Sequence, residues 1–569
     1  MKKVLLILIF SFCISIPVIL PFFQAGYFPT HDGEWAVVRL TDMFRTLRDF
    51  QIPPRYSGEL NFGYGYPLFN FAYPFPYYLG ILIHFLGVGF VDTIKILFAG
   101  SVLLSAFFMF LASRALWKST WAGIMSAILY VYFPYRMVDL YVRGSIGESL
   151  SFALSPLLFY LAIKLISKPS LLLVGGIGIC VAALIMTHNI MTVLFMPLYI
   201  AFILTQSISK NKKAIKAFLL SIFLGFGLSA FFWIPALFEK NNILLSQIPI
   251  ADRNLYFVNL SQFIFPKWGY GAPIDPNGFS YQLGLVHLAV FIIVVLSLLF
   301  LLLSNKKYFK EYYIRLAGIL TISVSFFAFL LFKPSEFFWE NIPLLSEINY
   351  PWIVLGILGF LISLLTGFLS KQVLGRFVMI FLGIIAVFIV LPYGKPQQYI
   401  NKGDGYYLTN DATTTSSNEL MPLWVKKIPF QRAEKKVEII NGNGNIESIF
   451  SNSKQVKFAI NLFSQGTVRI NTIYYPGWNA MVYPTRCHPE LVSGSHCKGE
   501  ELAIHYQNTK GVMDLQIPKG ENKVELQFSE TPLRLFADII SASSIFLLLL
   551  YKTISRKLKS LRLTNALIV

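Results

Sequence analysis

The stretch Tyr73-Pro74-Phe75-Pro76-Tyr77-Tyr78-Leu79-Gly80-Ile81-Leu82-Ile83-His84-Phe85-Leu86 decides how this chain is threaded. It is apolar enough to be taken for a membrane span, and its status sets the side on which every later loop lies. Other apolar segments of spanning length, about 17 to 25 residues, occur near 4–23, 92–113, 119–136, 146–166, 170–187, 190–206, 215–238, 282–304, 312–332, 350–370, 374–392 and 533–552. Between them lie the basic clusters Arg114/Lys118, Lys164/Lys168, Lys210 to Lys213, Lys306/Lys307/Lys310, Lys371/Arg376 and a tail from Lys552 to Arg562. Basic loops stay on the cytoplasmic side, and these clusters agree only if 75–90 does not cross. Two prolines at its start and the aromatic residues around them suit a helix lying in the outer interface. About twelve spans follow, with both termini in the cytoplasm.

Composition agrees with this class. Hydrophobic residues make up 55% of 569 residues and charged residues only 14%, more apolar surface than one soluble core hides. Lys2-Lys3 followed by an apolar run to Phe23 resembles a signal peptide, but no small-residue cleavage site follows and Pro17 and Pro21 interrupt it, so it reads as an uncleaved first span. The formal charge of +19 sits between spans and in the tail, where it orients the protein and meets anionic lipid. A nucleic-acid partner is not indicated.

Three parts result: a membrane domain over 1–392 whose first outer loop is 24–91, an extracytoplasmic domain over 393–530, and a final span with a basic tail over 531–569. The middle part alternates apolar and polar residues at Val437 to Ile440, Val456 to Leu462, Val468 to Ile473, Val512 to Ile517 and Val524 to Phe528, separated by turns such as Asn441-Gly442-Asn443-Gly444. That period of two predicts a small antiparallel all-β sandwich or sheet. Asp404 to Asn418, rich in Thr, Ser, Asn and Gly, reads as a loose linker.

The first outer loop opens on Thr30-His31-Asp32-Gly33-Glu34-Trp35. Ala36, Leu40, Met43, Leu47 and Phe50 then recur at helical spacing with Arg39, Asp42, Thr46 and Asp49 opposite, which predicts an amphipathic helix over 33–50 resting on the outer interface. Asp32 at its head is either a helix cap or a catalytic or ligand-binding carboxylate, and the two roles are compatible. His31 and Glu34 crowd polar groups beside it. Asp139 and Glu148 flank Arg143 and suit a local ion pair. His188 with Asn189 suits a headgroup contact or a hydrogen-bonded pair at a span end. Glu336, Glu340 and Glu347 leave a divalent cation open as a cofactor if they fold together with Asp32.

In order along the chain, the Asp32 motif, Gly63-Tyr64-Gly65-Tyr66-Pro67-Leu68-Phe69-Asn70-Phe71-Ala72-Tyr73-Pro74-Phe75-Pro76-Tyr77-Tyr78-Leu79, Thr187-His188-Asn189, Tyr350-Pro351-Trp352 and Tyr475-Pro476-Gly477-Trp478 resemble the membrane glycosyltransferases of the GT-C fold. More narrowly they resemble the bacterial membrane proteins called 6-pyruvoyl-tetrahydropterin synthase-related, or YfhO-type. The length and His cluster of a soluble zinc pterin enzyme are missing. The resemblance implies transfer of a sugar from a polyprenyl-phosphate carrier to an envelope glycan, lipid or protein outside the cell membrane, with Asp32 as base. It also implies a cation for the departing phosphate, among Arg55, Arg136, Arg143 and Arg253. One departure is Ile353, where relatives often place Arg after the Pro-Trp pair; it makes a non-catalytic envelope assembly or glycan-binding protein the rival reading. A transporter or flippase ranks last, since it wants charged or broken helices at mid-membrane.

The second departure is Arg486-Cys487-His488-Pro489-Glu490-Leu491-Val492-Ser493-Gly494-Ser495-His496-Cys497, which interrupts an expected hairpin like an in-frame genomic repeat. Its cysteines are a disulfide candidate, Cys487–Cys497; free thiols and a zinc site are the alternatives, the last disfavoured by the adjacent Cys-His spacing. Cys13 and Cys180 read as packing residues within spans. The threading makes a direct prediction: cysteines introduced near Gly63 and near Val91 react with an impermeant thiol reagent from the same, outer face. Labelling at Val91 only from the cytoplasm overturns the map.

Overall fold

The computed structural model describes residues 2–207, 212–248, 250–264, 267–272, 278–279, 281–484 and 499–565. Among these, nine helices are long and apolar enough to cross a bilayer: Lys2–Phe23, Phe90–Trp117, Ile146–Ser167, Asn189–Ser207, Leu285–Ser304, Tyr312–Phe329, Pro351–Lys371, Val373–Tyr393 and Pro532–Leu550. The pair Lys213–Leu228 and Ala230–Phe238, bent by 71°, makes a broken tenth, and Thr120–Val131 and Leu171–Thr187 are shorter apolar helices. Together they fall on the apolar segments read from the sequence. The protein is a polytopic helical membrane protein with a β domain.

Burial orders the bundle. Every residue in the apolar window of Pro351–Lys371 is buried, so this helix, apolar on all sides, forms the centre. Leu285–Ser304 and Pro532–Leu550 bury only 28% and 17% of theirs; they turn the remainder outward, which lipid accommodates and water does not.

The deciding stretch forms a helix of 10 residues, Phe75–His84. At about 1.5 Å per residue it is roughly half as long as the hydrocarbon core is thick, and it does not cross. Pro76 sits in its first turn, where a missing N–H costs nothing. Gly87, at φ +90°, turns the chain into Phe90–Trp117, and that helix is capped from afar: the Asp404 carboxylate accepts from Phe90 N at 2.8 Å and Val91 N at 2.9 Å.

Nine strands form the β domain: β1 Val437–Asn441, β2 Gly444–Ser451, β3 Gln455–Leu462, β4 Gly466–Ile473, β5 Trp478–Pro484, β6 Glu500–Leu502, β7 Ile504–His505, β8 Val512–Ile517 and β9 Gly520–Phe528. They pair antiparallel in two sheets, β1-β4-β8-β7 and β2-β3-β9-β5-β6. Val456, Phe458, Ile460 and Leu462 alternate into the core from β3, and Val468 and Ile470 do so from β4, the period-two pattern of a sandwich. Strands β2, β6 and β7 escape the sequence pattern because β2 is mostly exposed and β6 and β7 are too short to show a period.

The segment Asp404 to Asn418 is not loose. It begins with a helical turn, Asp404–Leu408, and then straps the first loop: Phe62 N donates to Asp411 O at 2.6 Å, Arg432 pairs with Asp411 at 2.8 Å, and Tyr66 Oη lies 3.0 Å from Thr414 Oγ1. Its polar composition reads as a linker, yet those groups bond to the buried polar groups of its neighbours.

The insert, with Cys487, His488, His496 and Cys497, lies outside the described residues. Its flanks are informative: Val482 of β5 stands opposite Glu500 of β6, so 485–498 joins neighbouring antiparallel strands. Deleting 486–498 is therefore expected to leave expression and membrane insertion at wild-type levels, read by fluorescence size exclusion of a tagged protein. Loss of the monodisperse peak shows instead that the insert is part of the folded domain.

Candidate functional site

Two loops press together at the head of the Gly33–Arg48 helix. His31 N donates to Val142 O at 2.9 Å and Asp32 N to Arg143 O at 2.7 Å. A Cβ on Gly33 would lie 2.3 Å from Tyr27 Oη, and one on Gly144, at φ +64°, would lie 2.2 Å from Thr30 Oγ1; only glycine permits this approach. Asp32 occupies the cap position at φ −124°, ψ −14°, but its carboxylate makes no capping bond. Thr30 Oγ1 accepts from Gly33 N at 2.9 Å instead. The Asp32 side chain is thus released from the role the sequence left open to it.

The helix itself is not an interfacial one and ends at Arg48, short of Phe50. Thr41, Asp42 and Thr46 on its polar side are buried, because the 404–421 strap and the β domain cover that side. Arg39 Nε donates to Thr414 Oγ1 at 3.1 Å, Arg45 Nη2 to Leu408 O at 2.6 Å and Tyr407 Oη to Glu34 Oε1 at 3.2 Å. Burial pushes the Asp42 carboxyl up to about 7, and its Oδ2 has no partner.

Strap and helix enclose a polar cleft of ≈ 160 Å³. Asp32, Trp35, Ala36 and Arg39 line one wall, Tyr73, Tyr77, Gly144 and Ile146 the floor, and Thr415, Ser416 and Glu419 the strap side. Thr415 is 8% exposed and its hydroxyl has no hydrogen-bond partner. Burial raises the Tyr73 and Tyr77 phenols, so both stay protonated and able to donate.

Beside the cleft runs a buried ionic network. Arg143 pairs with Glu148, donates to Tyr135 Oη at 3.0 Å and lies 4.6 Å above the Trp352 ring. Arg136, 1% exposed, donates to Ser149 O and to Ser101 Oγ and stands 3.9 Å from Asp139. Burial and the neighbouring Glu148 push the Asp139 carboxyl up. Trp352 Nε1 and Tyr281 Oη, whose rings stack at 5.9 Å, have no hydrogen-bond partner.

The other expected site residues are scattered. His31 reaches Tyr270 O at 2.9 Å, and Glu34 faces Lys402 at 3.6 Å as well as Tyr407. His188 stacks on Tyr73 at 5.7 Å, and burial pushes its imidazole down to about 4. Asn189 is exposed and bonds the backbone N of Ile190. Arg253 holds Ile348 O and Trp339 O of another loop. Arg55 donates to Phe231 O, Glu530 and Asp538, and Ser541 Oγ accepts from Phe231 N at 2.8 Å. Arg55 and Ser541 thus fill the break of the bent span, satisfying the groups a transporter would expose. Glu336 and Glu347 pair with Lys333 and Lys240 rather than gathering on Asp32. Among the described residues no group of three or more His, Cys, Asp or Glu side chains is placed to hold a metal.

Trp35 and Arg39 had a signal in the sequence, since Asp32, Trp35, Ala36 and Arg39 follow the i, i+3, i+4, i+7 spacing of one helix face. Thr415 and Glu419 had none: nothing local couples them to a helix so far away in the chain.

The profile of the 6-pyruvoyl-tetrahydropterin synthase-related domain, described as a membrane protein, matches residues 69–395. The chain belongs to that family. Another protein similar to this one, an uncharacterized protein of Lactococcus lactis subsp. cremoris (strain MG1363), is 25% identical over 309 residues, 52% of this chain and 50% of that protein. The chain thus spans about half the length of the curated relative it matches. Among solved structures, the apo oligosaccharyltransferase of Archaeoglobus fulgidus aligns with 75% of this chain and 62% of its own at a TM-score of 0.45 and 13% identity; at that score the likeness carries no argument. The matched family region contains Tyr73, Tyr77, Gly144 and Ile146 of the cleft, whereas Asp32, Arg39, Thr415 and Glu419 lie outside it.

The capping geometry yields a measurable contrast. Thr30→Val should lower stability by about 1 kcal/mol, and Asp32→Ala should change it by less than about 0.5 kcal/mol. Thermal unfolding of the two variants in one detergent checks the order.

Proposed function

We propose that this protein is an integral membrane glycosyltransferase that moves a sugar from a polyprenyl-phosphate donor to a cell-envelope acceptor. The observation that supports it most is the Asp32 carboxylate, freed from capping by Thr30 and opening into a polar cleft with Arg39, Tyr73, Tyr77 and Glu419. The proposal takes the cleft and the β domain to face the outside of the cytoplasmic membrane and both termini to lie inside, an orientation that the basic loops support.

In this reading Asp32 takes the proton of an acceptor hydroxyl as its oxygen bonds to the anomeric carbon. The bond from that carbon to the phosphate oxygen breaks, and the polyprenyl phosphate leaves with the electron pair. Arg143 is the cation for that phosphate: its backbone is bonded to Asp32, and its side chain is 13% exposed and held by Glu148 and Trp352. Arg55 and Arg253, committed to backbone carbonyls elsewhere, serve the fold.

One observation favours the non-catalytic, glycan-binding alternative. Ile353 is 2% exposed and brings no cation, and Arg143 and Arg39 are already engaged by Glu148 and Thr414. Asp32→Asn separates the two readings, since it keeps size and polarity while removing most proton acceptance. Transfer from a synthetic polyprenyl-phosphate sugar, assayed in proteoliposomes, should fall by roughly two to four orders of magnitude. Full activity in Asp32→Asn eliminates Asp32 as base, and a wild-type protein that binds the lipid without turnover supports the alternative.

A further inference from the structure

We infer that the acceptor is a carbohydrate, bound across the cleft by Trp35, Thr415 and Glu419; this rests on the assignment of the cleft as the site of transfer. Three chemistries meet there. Trp35 and Tyr73 offer aromatic faces, which suit the C–H face of a sugar ring. Glu419 and Asp32 offer carboxylates, which accept from hydroxyls, and Thr415 offers a hydroxyl that does both. Thr415 lines the cleft from the strap, is 8% exposed, and has a buried hydroxyl with no hydrogen-bond partner among the described residues. A buried hydroxyl left unpaired costs about 1–3 kcal/mol, a cost that a bound polyol removes. The cleft volume of ≈ 160 Å³, on the order of ten times what one water needs by the same measure, admits a small polar ring.

The other acceptor classes fit less well. A lipid acceptor needs an apolar wall, and this cleft presents Asp32, Arg39, Thr415, Ser416 and Glu419. A peptide read through its backbone needs free main-chain groups on the protein. On the strap several are taken: Asp411 O accepts from Phe62 N and Glu419 O from Leu245 N, Thr414 O accepts from Arg39, and Ser417 N donates to Glu419 Oε2 at 3.0 Å. Thr415 and Ser416 add side-chain hydroxyls to the strap side of the cleft, and Glu419 a carboxylate.

The strap also explains how acceptor binding and the base come into register. Arg39, one face along from Asp32, holds Thr414, and Thr415 follows directly. A sugar bonded to Thr415 and Glu419 is thereby presented to Asp32, with the strap as the specificity-determining element and the helix as the catalytic one.

The test uses the full-length protein in nanodiscs and a panel of defined soluble oligosaccharides from bacterial envelopes, with binding read by fluorescence polarisation of end-labelled glycans. Wild type is expected to bind one glycan class. Thr415→Val, which keeps the side-chain shape, and Glu419→Gln should each weaken it roughly tenfold, with no loss of thermal midpoint. No binding of any glycan, or equal binding by wild type, Thr415→Val and Glu419→Gln, overturns the inference. Glycan binding without turnover of polyprenyl-phosphate sugar removes the transfer reading and leaves the cleft a carbohydrate-binding site. Turnover onto lipid or protein with no glycan bound does the reverse.

Discussion

One carboxylate holds the two halves of this protein together. Glu239, 6% exposed at the end of the broken span, accepts from Asn70 of the first loop at 2.8 Å, from Tyr475 of the β domain at 3.1 Å, and from Arg534 of the last span at 2.8 and 2.9 Å. Removing one partner of such a buried pair typically costs about 3–5 kcal/mol, because the other charge is stranded. Gly477, at φ +118°, completes the junction: a Cβ there would lie 3.0 Å from Arg534 Nη1 and 2.5 Å from Ser529 O. The Tyr475-Pro476-Gly477-Trp478 motif is therefore a docking corner, with Tyr475 reaching down to Glu239 and Trp478 packing on Tyr56 at 5.7 Å. Arg55, joined to Glu530, Asp538 and Phe231 O, fastens the same seam a few residues away.

The cleft depends on that junction rather than on the membrane bundle alone. With the β domain docked, the strap that precedes it is drawn across the Gly33–Arg48 helix, and Arg39 meets Thr414. Asp42, on the same helix, is buried without a partner for Oδ2 among the described residues, a local cost that the surrounding packing offsets. Nearby, Lys436 links the sheet to the first loop by donating to Gly63 O at 2.6 Å and Asn471 O at 3.2 Å. The site lies at the meeting of two domains, where binding clefts commonly form.

The bundle was legible from the sequence because a bilayer imposes length and polarity on each span, and charge placement then excluded 75–90. The sandwich was legible wherever one strand face is buried, as on β3 and β4, and illegible where a strand is short or exposed. Asp32 stood out as a carboxylate at the head of a helix, but whether it capped that helix depended on Thr30, two residues away, and on Gly144 in another loop. The polar side of the same helix misled: Arg39, Asp42 and Thr46 look solvent-facing until neighbouring segments cover them, and the strap looks like a linker until Arg39 and Arg45 bond to it. Each segment was read as exposed because the other, distant in sequence, is what buries it.

That mutual burial bears on what the cleft can do. The region matched to the family, 69–395, supplies the floor, Tyr73 and Tyr77 with Gly144 and Ile146, and carries the Arg143–Glu148–Trp352 network beneath it. Asp32 and Arg39 come from before that region and Thr415 and Glu419 from after it. A protein built this way can keep one floor and network while the walls change, since alterations in the strap or the helix head leave the bundle's buried pairs untouched. Under the proposed transfer reading, acceptor choice belongs to the walls, with Arg39 as the contact that joins the strap to the helix.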